Sequence, residues 1–201
     1  MPTGVAFQDP RTQLFDAAER LLLQAGPNAL TSRAVTAEAG CAKGVLHRHF
    51  ADFDDFLEAL VLDRIGRIAA QSAALHAAAG TGTVTGNLAD ALGALFDPVA
   101  VAVVGLVTFR DELRARLRRT TPRGIPLLAE ATAMLAGYLA AEQRLGRIAA
   151  EADLRPLAPT LIGAGHLLFA DRESARPEPA ALRQVVATVI GGALPPGRKL
   201  G

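Results

Sequence analysis

Apolar residues return every three or four positions through most of this chain, and no period-two alternation of useful length interrupts them. The first such stretch opens at Asp9-Pro10, an N-cap followed by proline at the first helical position. It carries Leu14, Phe15, Ala18, Leu21, Leu22 and Ala25 on its stripe and stops at Gly26-Pro27. Thr31 predicts the cap of a second, shorter helix with Val35 and Ala39 inward, ended by Gly40. A third runs from about Ala42 to His49 and buries Val45, Leu46 and Phe50. Asp52 then caps a long helix, with Asp54 and Asp55 in its first turn, where carboxylates suit the helix dipole. Its apolar face is Phe53, Leu57, Leu60, Val61, Ile65 and Ile68, and it reaches about His76.

A glycine- and threonine-rich stretch follows, "AAGTGTVTGN". Beyond it the periodicity predicts helices near 87–96, 98–107, 109–119, 126–146, 157–171 and 180–193, with no internal repeat. Breaks fall at Asp97-Pro98, at "TTPRGIP" (120–126), around 153–159 and at "RESARPEPA" (172–180). The pattern describes an all-α chain. Residues 1–51 form a small N-terminal head, 52–194 a larger helical body, and 195–201 a disordered tail.

Half of the residues are hydrophobic, only 4% are aromatic and none is Trp, a composition that favours helix over sheet. The length suits one large domain or two small ones sharing an interface. A net charge of +1 means that any affinity for nucleic acid must come from a local patch. One cysteine, Cys41, excludes an intramolecular disulfide and fits a reducing, cytoplasmic setting. The first residues carry no basic region followed by an apolar one, so no secretion signal is expected. The longest apolar uncharged run, Pro156 to Ala170, contains a proline and falls short of the roughly 20 residues of a membrane span. The mean hydropathy of +0.25 therefore points to apolar surface hidden in a subunit interface or an internal cavity.

Residues 31–50, "TSRAVTAEAGCAKGVLHRHF", hold two short helices around the turn Gly40-Cys41-Ala42, the arrangement of a helix-turn-helix. A short amphipathic helix propped by another can lie in the major groove with its N-terminal residues at the base edges. Ala42, Lys43 and Gly44 occupy that N-terminus, Lys43 suited to a phosphate or a guanine edge and Gly44 to close backbone approach. His47, Arg48 and His49 offer donors to phosphates, and Thr31, Ser32 and Arg33 sit where the preceding helix presents free N–H groups. The plainer alternative is a solvated helix end. Over residues 1–65, six Lys or Arg face nine Asp or Glu, yet within 31–51 Arg33, Lys43 and Arg48 face only Glu38.

The pieces "LFDAAERLLLQAG", "LTSRAVTAEAGCAKG" and "LHRHF", within residues 11–65, resemble the DNA-binding head of TetR-family (tetracycline-repressor-like) transcriptional regulators. The resemblance implies a first head helix over Pro10–Ala25, a helix-turn-helix over 32–50 and a linking helix opened by Asp52. It also implies a homodimer whose body binds a small molecule and changes the spacing of its two heads. Three departures stand out. His47 replaces a usual tyrosine, Phe53 with Asp54 and Asp55 replaces a usual lysine, and Cys41 replaces a usual aliphatic residue. The first two lead us to expect weaker or more salt-sensitive binding. For Cys41 we expect the role of a small buried hydrophobe rather than a redox sensor.

In the body, Leu182, Val185, Val186, Val189 and Ile190 form one apolar stripe, and Leu157, Leu161, Ala164, Gly165 and Leu168 another. These two faces are expected to build a four-helix dimer interface, as in the proteins the chain resembles. "FDPVAVAVVGLVTF" is more apolar than one helix face needs, so a ligand cavity is expected near it, walled by Phe96, Val103, Phe109, Met134, Tyr138, His166 and Phe169. Tyr138 and His166 would supply its polar handles. Between Arg110 and Arg123, six arginines face two acids, a solvated face unless the cluster receives an anionic effector or turns toward the head and its acidic linking helix. No catalytic motif, metal-ligand spacing or cofactor fingerprint is present, so neither enzyme activity nor a cofactor is expected. The expected function is a DNA-binding repressor of a palindromic operator, released by a small, largely hydrophobic effector. The rival is a helical ligand-binding adaptor that has lost DNA binding.

Overall fold

The computed structural model describes residues 9–119, 124–169 and 177–195, and among them every regular element is helical. Helix α1 (Pro10–Ala25) starts on Asp9, whose carboxylate accepts from the Arg11 amide at 3.3 Å. A 3₁₀ turn at Pro27–Ala29 leads to α2 (Ser32–Glu38), capped by Thr31, whose Oγ1 accepts from the Ala34 amide at 3.1 Å. Gly40 then takes φ +64, a left-handed conformation that glycine adopts without strain, and the chain turns into α3 (Gly44–His49). The start of α4 (Phe53–Ala77) is reciprocally capped. The Asp52 carboxylate accepts from the Asp55 amide at 2.7 Å, and the Asp55 carboxylate accepts from the Ala51 amide at 3.0 Å.

The body continues with α5 (Val84–Leu95), α6 (Pro98–Phe109), α7 (Asp111–Leu117), α8 (Leu128–Arg144), α9 (Leu157–Phe169) and α10 (Pro179–Ile190). Helix α5 begins three residues before its expected start because the Thr83 hydroxyl caps it, accepting from the Gly86 amide at 3.0 Å. The expected turn residues 120–123 with Arg123, the end of the helix at 170–171, the break at 172–176 and the tail from 196 lie outside the described residues. Among the described residues no single helix is long and apolar enough to cross a membrane.

Two cores result. The first joins the head to α6 and α7: Leu14, Phe15, Leu46, Phe50, Phe56 and Leu57 pack with Val103, Val107, Leu113 and Leu117. Phe15, Phe50 and Phe56 have ring centroids 5.1–6.0 Å apart, edge-on or tilted, at the junction of α1, α3 and α4. The head therefore does not close its core by itself. Helices α6 and α7 complete it, and at about 1.5–3 kcal/mol per buried side chain this is a firm attachment. The second core gathers α5, α8, α9 and α10 around Leu88, Leu92, Leu135, Leu161 and Val186.

That second core corrects one expectation. Leu161, Gly165, Leu182, Val186 and Ile190, read as lending themselves to a subunit contact, are buried inside the single chain. Helices α9 and α10 are apolar on more than one side, and the most regular stripe is spent on α5 and α8. Leu157, Ala164, Leu168, Val185 and Val189 remain half-buried. Leu167, absent from the expected stripe, is 76% exposed. Gly165 is required by the close approach of α9 to the end of α5, because a Cβ there would lie 2.6 Å from the Phe96 ring. Gly165→Ala is expected to destabilise the fold by about 1–3 kcal/mol through overpacking, read as a lowered midpoint in chemical denaturation. An unchanged midpoint would show that the Phe96 ring can move aside.

Candidate nucleic-acid interface and its supports

Helix α2 is pinned on α1 by two side chains. Gln13 Nε2 donates to the Ala39 carbonyl at 2.7 Å, and Arg20 pairs with Glu38 at 2.7 Å. Helix α3 hangs on Leu46, wholly buried, and on Phe50 at its C-terminus, whose ring also carries the Arg11 guanidinium 4.6 Å from its centroid. With those anchors inward, Thr31, Arg33, Ala42, Lys43, Gly44, His47 and Arg48 are exposed, and Ser32 and His49 are half-buried. All nine expected DNA-facing residues thus belong to α2, α3 and their leading turns. A Cβ on Gly44 would meet nothing within 4 Å, so packing does not demand glycine at that position. Cys41 is half-buried in the turn, its amide donating to the Thr36 carbonyl at 3.0 Å.

The arginine cluster divides: Arg110, Arg116 and Arg119 meet the head or its linking helix, Arg114 pairs with Asp111, Arg118 is exposed, and Arg123 lies outside the described residues. Arg110 Nη2 donates to the Leu30 carbonyl at 3.0 Å, next to the Thr31 cap, and its guanidinium lies 5.8 Å from the Phe53 ring centroid. Arg116 pairs with Asp52 at 3.0 Å, and Arg119 meets both carboxylate oxygens of Glu58 at 3.2 Å. These arginines turn toward the head and the acidic linking helix, the second of the two readings left open above. The Asp55 amide first, and then Arg116, hold the Asp52 carboxyl below the usual carboxylate range. The acidic run that replaces an expected lysine is therefore occupied from within the chain, as caps and as partners of α7.

A second ionic joint is buried. Arg64 of α4 lies 2.9 Å from the Glu19 carboxylate of α1 and 3.0 Å from Asp97, the N-cap of α6, while Arg67 reaches Glu19 at 3.4 Å and Asp63 at 3.0 Å. Burial pushes the Glu19 carboxyl above its ordinary value, against the pull of Arg64 and Arg67. Beside this joint lies a cavity of about 30 Å³, lined by Arg64, Gln71, Phe96, Asp97, Leu127 and Ala131 among others, with room for a water or two. Leu127 closes one wall in a positive-φ conformation (φ 74) unique among the described non-glycine residues.

Of the residues expected to wall an effector pocket, only Phe96 lines this cavity. Phe96 stacks on Phe169 with centroids 5.8 Å apart and lies 6.1 Å from His166, so these three do come together, with Met134 in the same core. Val103 belongs instead to the core shared with the head, and Phe109 is 79% exposed. The apolar excess of α6 is explained by its contact with the head, an interface that its own sequence could not reveal. Tyr138 is not an idle polar handle either. Its hydroxyl accepts from Asn87 Nδ2 at 2.9 Å beside the fully buried Glu142, and burial holds the phenol above its ordinary range. Arg147 completes this network, 3.4 Å from Glu142 and donating to the Thr81 and Gly82 carbonyls at 3.1 and 2.7 Å.

With this geometry in place, comparison with known proteins is informative. Residues 14–60 match the family model of bacterial regulatory proteins, tetR family. No curated protein sequence matches the chain. Among solved structures, the fatty acid degradation regulator FadR from Bacillus halodurans aligns at 18% identity over 94% of this chain and 98% of its own, with a TM-score of 0.71. FadR from Bacillus subtilis in complex with stearoyl-CoA aligns at 20% identity over 90% and 98%, TM-score 0.69. A TetR-family member from Streptomyces coelicolor A3 aligns at 24% identity over 94% and 99%, TM-score 0.64. Residues 14–60 thus match the tetR family of bacterial regulatory proteins, and over its described residues the chain is similar in fold to these solved regulators.

Proposed function

We propose that the protein is a transcriptional repressor that binds an inverted-repeat operator as a homodimer and is released by a small, largely hydrophobic effector. One observation carries this reading: within residues 31–51, Arg33, Lys43 and Arg48 are exposed against a single acid, Glu38, whereas the exposed cations of α1 are engaged, Arg11 over the Phe50 ring and Arg20 with Glu38. A dimer would set two copies of α3 about 34–36 Å apart, one turn of duplex, and so read a palindrome. The half-buried faces of α9 and α10, with exposed Leu167, are the surface we assign to the second subunit. The stearoyl-CoA complex of Bacillus subtilis FadR supports an effector with a long apolar part. We place the effector between α4, α8 and the α5–α6 junction, where the cavity beside Phe96 would have to widen to admit it.

The test is selection from random duplex DNA, then fluorescence anisotropy on the winners at two salt concentrations. An inverted repeat bound with steeply salt-dependent affinity is the expected result. Lys43→Ala is expected to weaken binding to that repeat on the order of tenfold, the size of one lost base or phosphate contact. Equal affinity would remove α3 from the reading role. No enriched motif from folded, dimeric protein would favour the ligand-binding adaptor instead.

A further inference from the structure

The linking helix opens with four acids, Asp52, Asp54, Asp55 and Glu58, immediately behind the reading helix. Asp52 is three residues past His49, so their Cα atoms are at most about 11 Å apart, roughly one Debye length at 0.1 M salt. Charge at that distance acts on DNA held by α3. Left bare, these acids would oppose every phosphate contact that the helix-turn-helix makes.

They are not bare. Helix α7 buries Leu113 and Leu117 in the core shared with the head, and this fixes the side from which its arginines project. Arg116 then meets Asp52, and Arg119 meets Glu58. The Arg116–Asp52 pair is largely exposed and contributes little to folding, and in the second pair Arg119 is 70% exposed over a Glu58 that is 14% exposed. Their placement has a different consequence: a segment of the body sets the charge of the surface behind α3.

We propose that Arg116 and Arg119 are positioning residues for DNA binding: they mask Asp52 and Glu58, and a shift that parts these two side chains from the acids weakens the hold on the operator. The proposal rests on the DNA-binding reading and adds a route for its control. Helix α7 follows directly on α6, and α6 begins at Asp97, which pairs with Arg64 and borders the cavity. A ligand that widens the cavity shifts α6 at one end and the arginines at the other. Arg110 ties the same corner to the Leu30 carbonyl, so the movement also reaches the start of α2.

The experiment compares four full-length proteins by anisotropy on the operator selected with the parent, at low and high salt, after thermal melts monitored by circular dichroism. Arg116→Ala with Arg119→Ala is expected to weaken binding on the order of tenfold at low salt, the gap closing as salt rises. Asp52→Asn with Glu58→Gln, which keeps an Asn cap on α4, is expected to bind several-fold tighter than the parent. All four substitutions together restore the parent's local charge and are expected to restore its affinity to within about twofold. A merely structural latch predicts otherwise, since breaking the pairs from either side would weaken binding and the quadruple variant would not recover. That pattern, or no change in the arginine variant, overturns the proposal alone. A parent that binds no duplex overturns the DNA-binding reading and this proposal with it.

Discussion

Arg64→Ala is expected to lower folding stability by about 3 kcal/mol, on the order of 10 °C in the melting midpoint for a chain of this size. The side chain is 8% exposed and serves Glu19 and Asp97, which come from the head and from the body. Truncation leaves Glu19 without its nearest cation in a buried setting. The lower end of the range for broken buried pairs applies because Asp97 is about a third exposed and keeps its cap on the Ala100 amide at 2.8 Å. Glu19→Gln should behave differently. The largest influence on the Glu19 carboxyl is desolvation, which raises its pKa, so its charge is a burden that Arg64 and Arg67 only partly relieve. The native state therefore binds more protons than the unfolded state above the ordinary value of 4.5, and stability from this group falls as pH rises through the folded pKa. Denaturant titrations of the two proteins should agree at acid pH and diverge in favour of Glu19→Gln as pH rises. Divergence in the opposite sense would mean that the ion pairs outweigh the burial.

The same joint shows what sequence periodicity can and cannot carry. Caps, prolines and apolar spacing located α1, α2, α3 and α4 because each signal is local: Asp9, Thr31, Gly40 and Asp52 act within a few residues of themselves. The exposed set from Thr31 to His49 follows from the same arithmetic, since burying Leu46 and Phe50 leaves the opposite side of α3 in solvent. What was not legible depends on which helix stands opposite. An apolar stripe states that a face is covered, without naming the cover. Leu182, Val186 and Ile190 proved to cover α5, and Val103 covers the head. Phe109, at the end of a nearly all-apolar helix, is left 79% exposed. The Arg110–Arg119 run and the acids at the start of α4 were each visible, but the ion pairs between them span 61 and 64 residues, and only the tertiary fold joins them.

Arg147→Ala is expected to cost about 3 kcal/mol and to loosen the loop between α4 and α5 first. Glu142 is 0% exposed, and within hydrogen-bonding reach it has the Gly80 amide at 3.3–3.4 Å and the Tyr138 hydroxyl as well as the Arg147 guanidinium. Removing the guanidinium leaves a buried carboxylate with weak compensation, the situation in which breaking an ion pair is most damaging. The same truncation strips a donor from each of the Thr81 and Gly82 carbonyls, so residues 78–83 keep only the Gly80–Glu142 bond as a direct tie to the end of α8. Asn87 still donates to the Ala78 and Thr81 carbonyls and to the Tyr138 hydroxyl, and part of the loop should stay in place. Amide hydrogen exchange should therefore quicken in that loop before it quickens in α8. Glu142→Gln keeps an acceptor for the Gly80 amide and leaves Arg147 its Thr81 and Gly82 carbonyls, so it should cost less, about 1–2 kcal/mol. If the two variants melt together near the parent, the Glu142–Arg147 pair does not hold the loop. A large loss for Arg147→Ala with a small one for Glu142→Gln would assign the cost to the stranded charge.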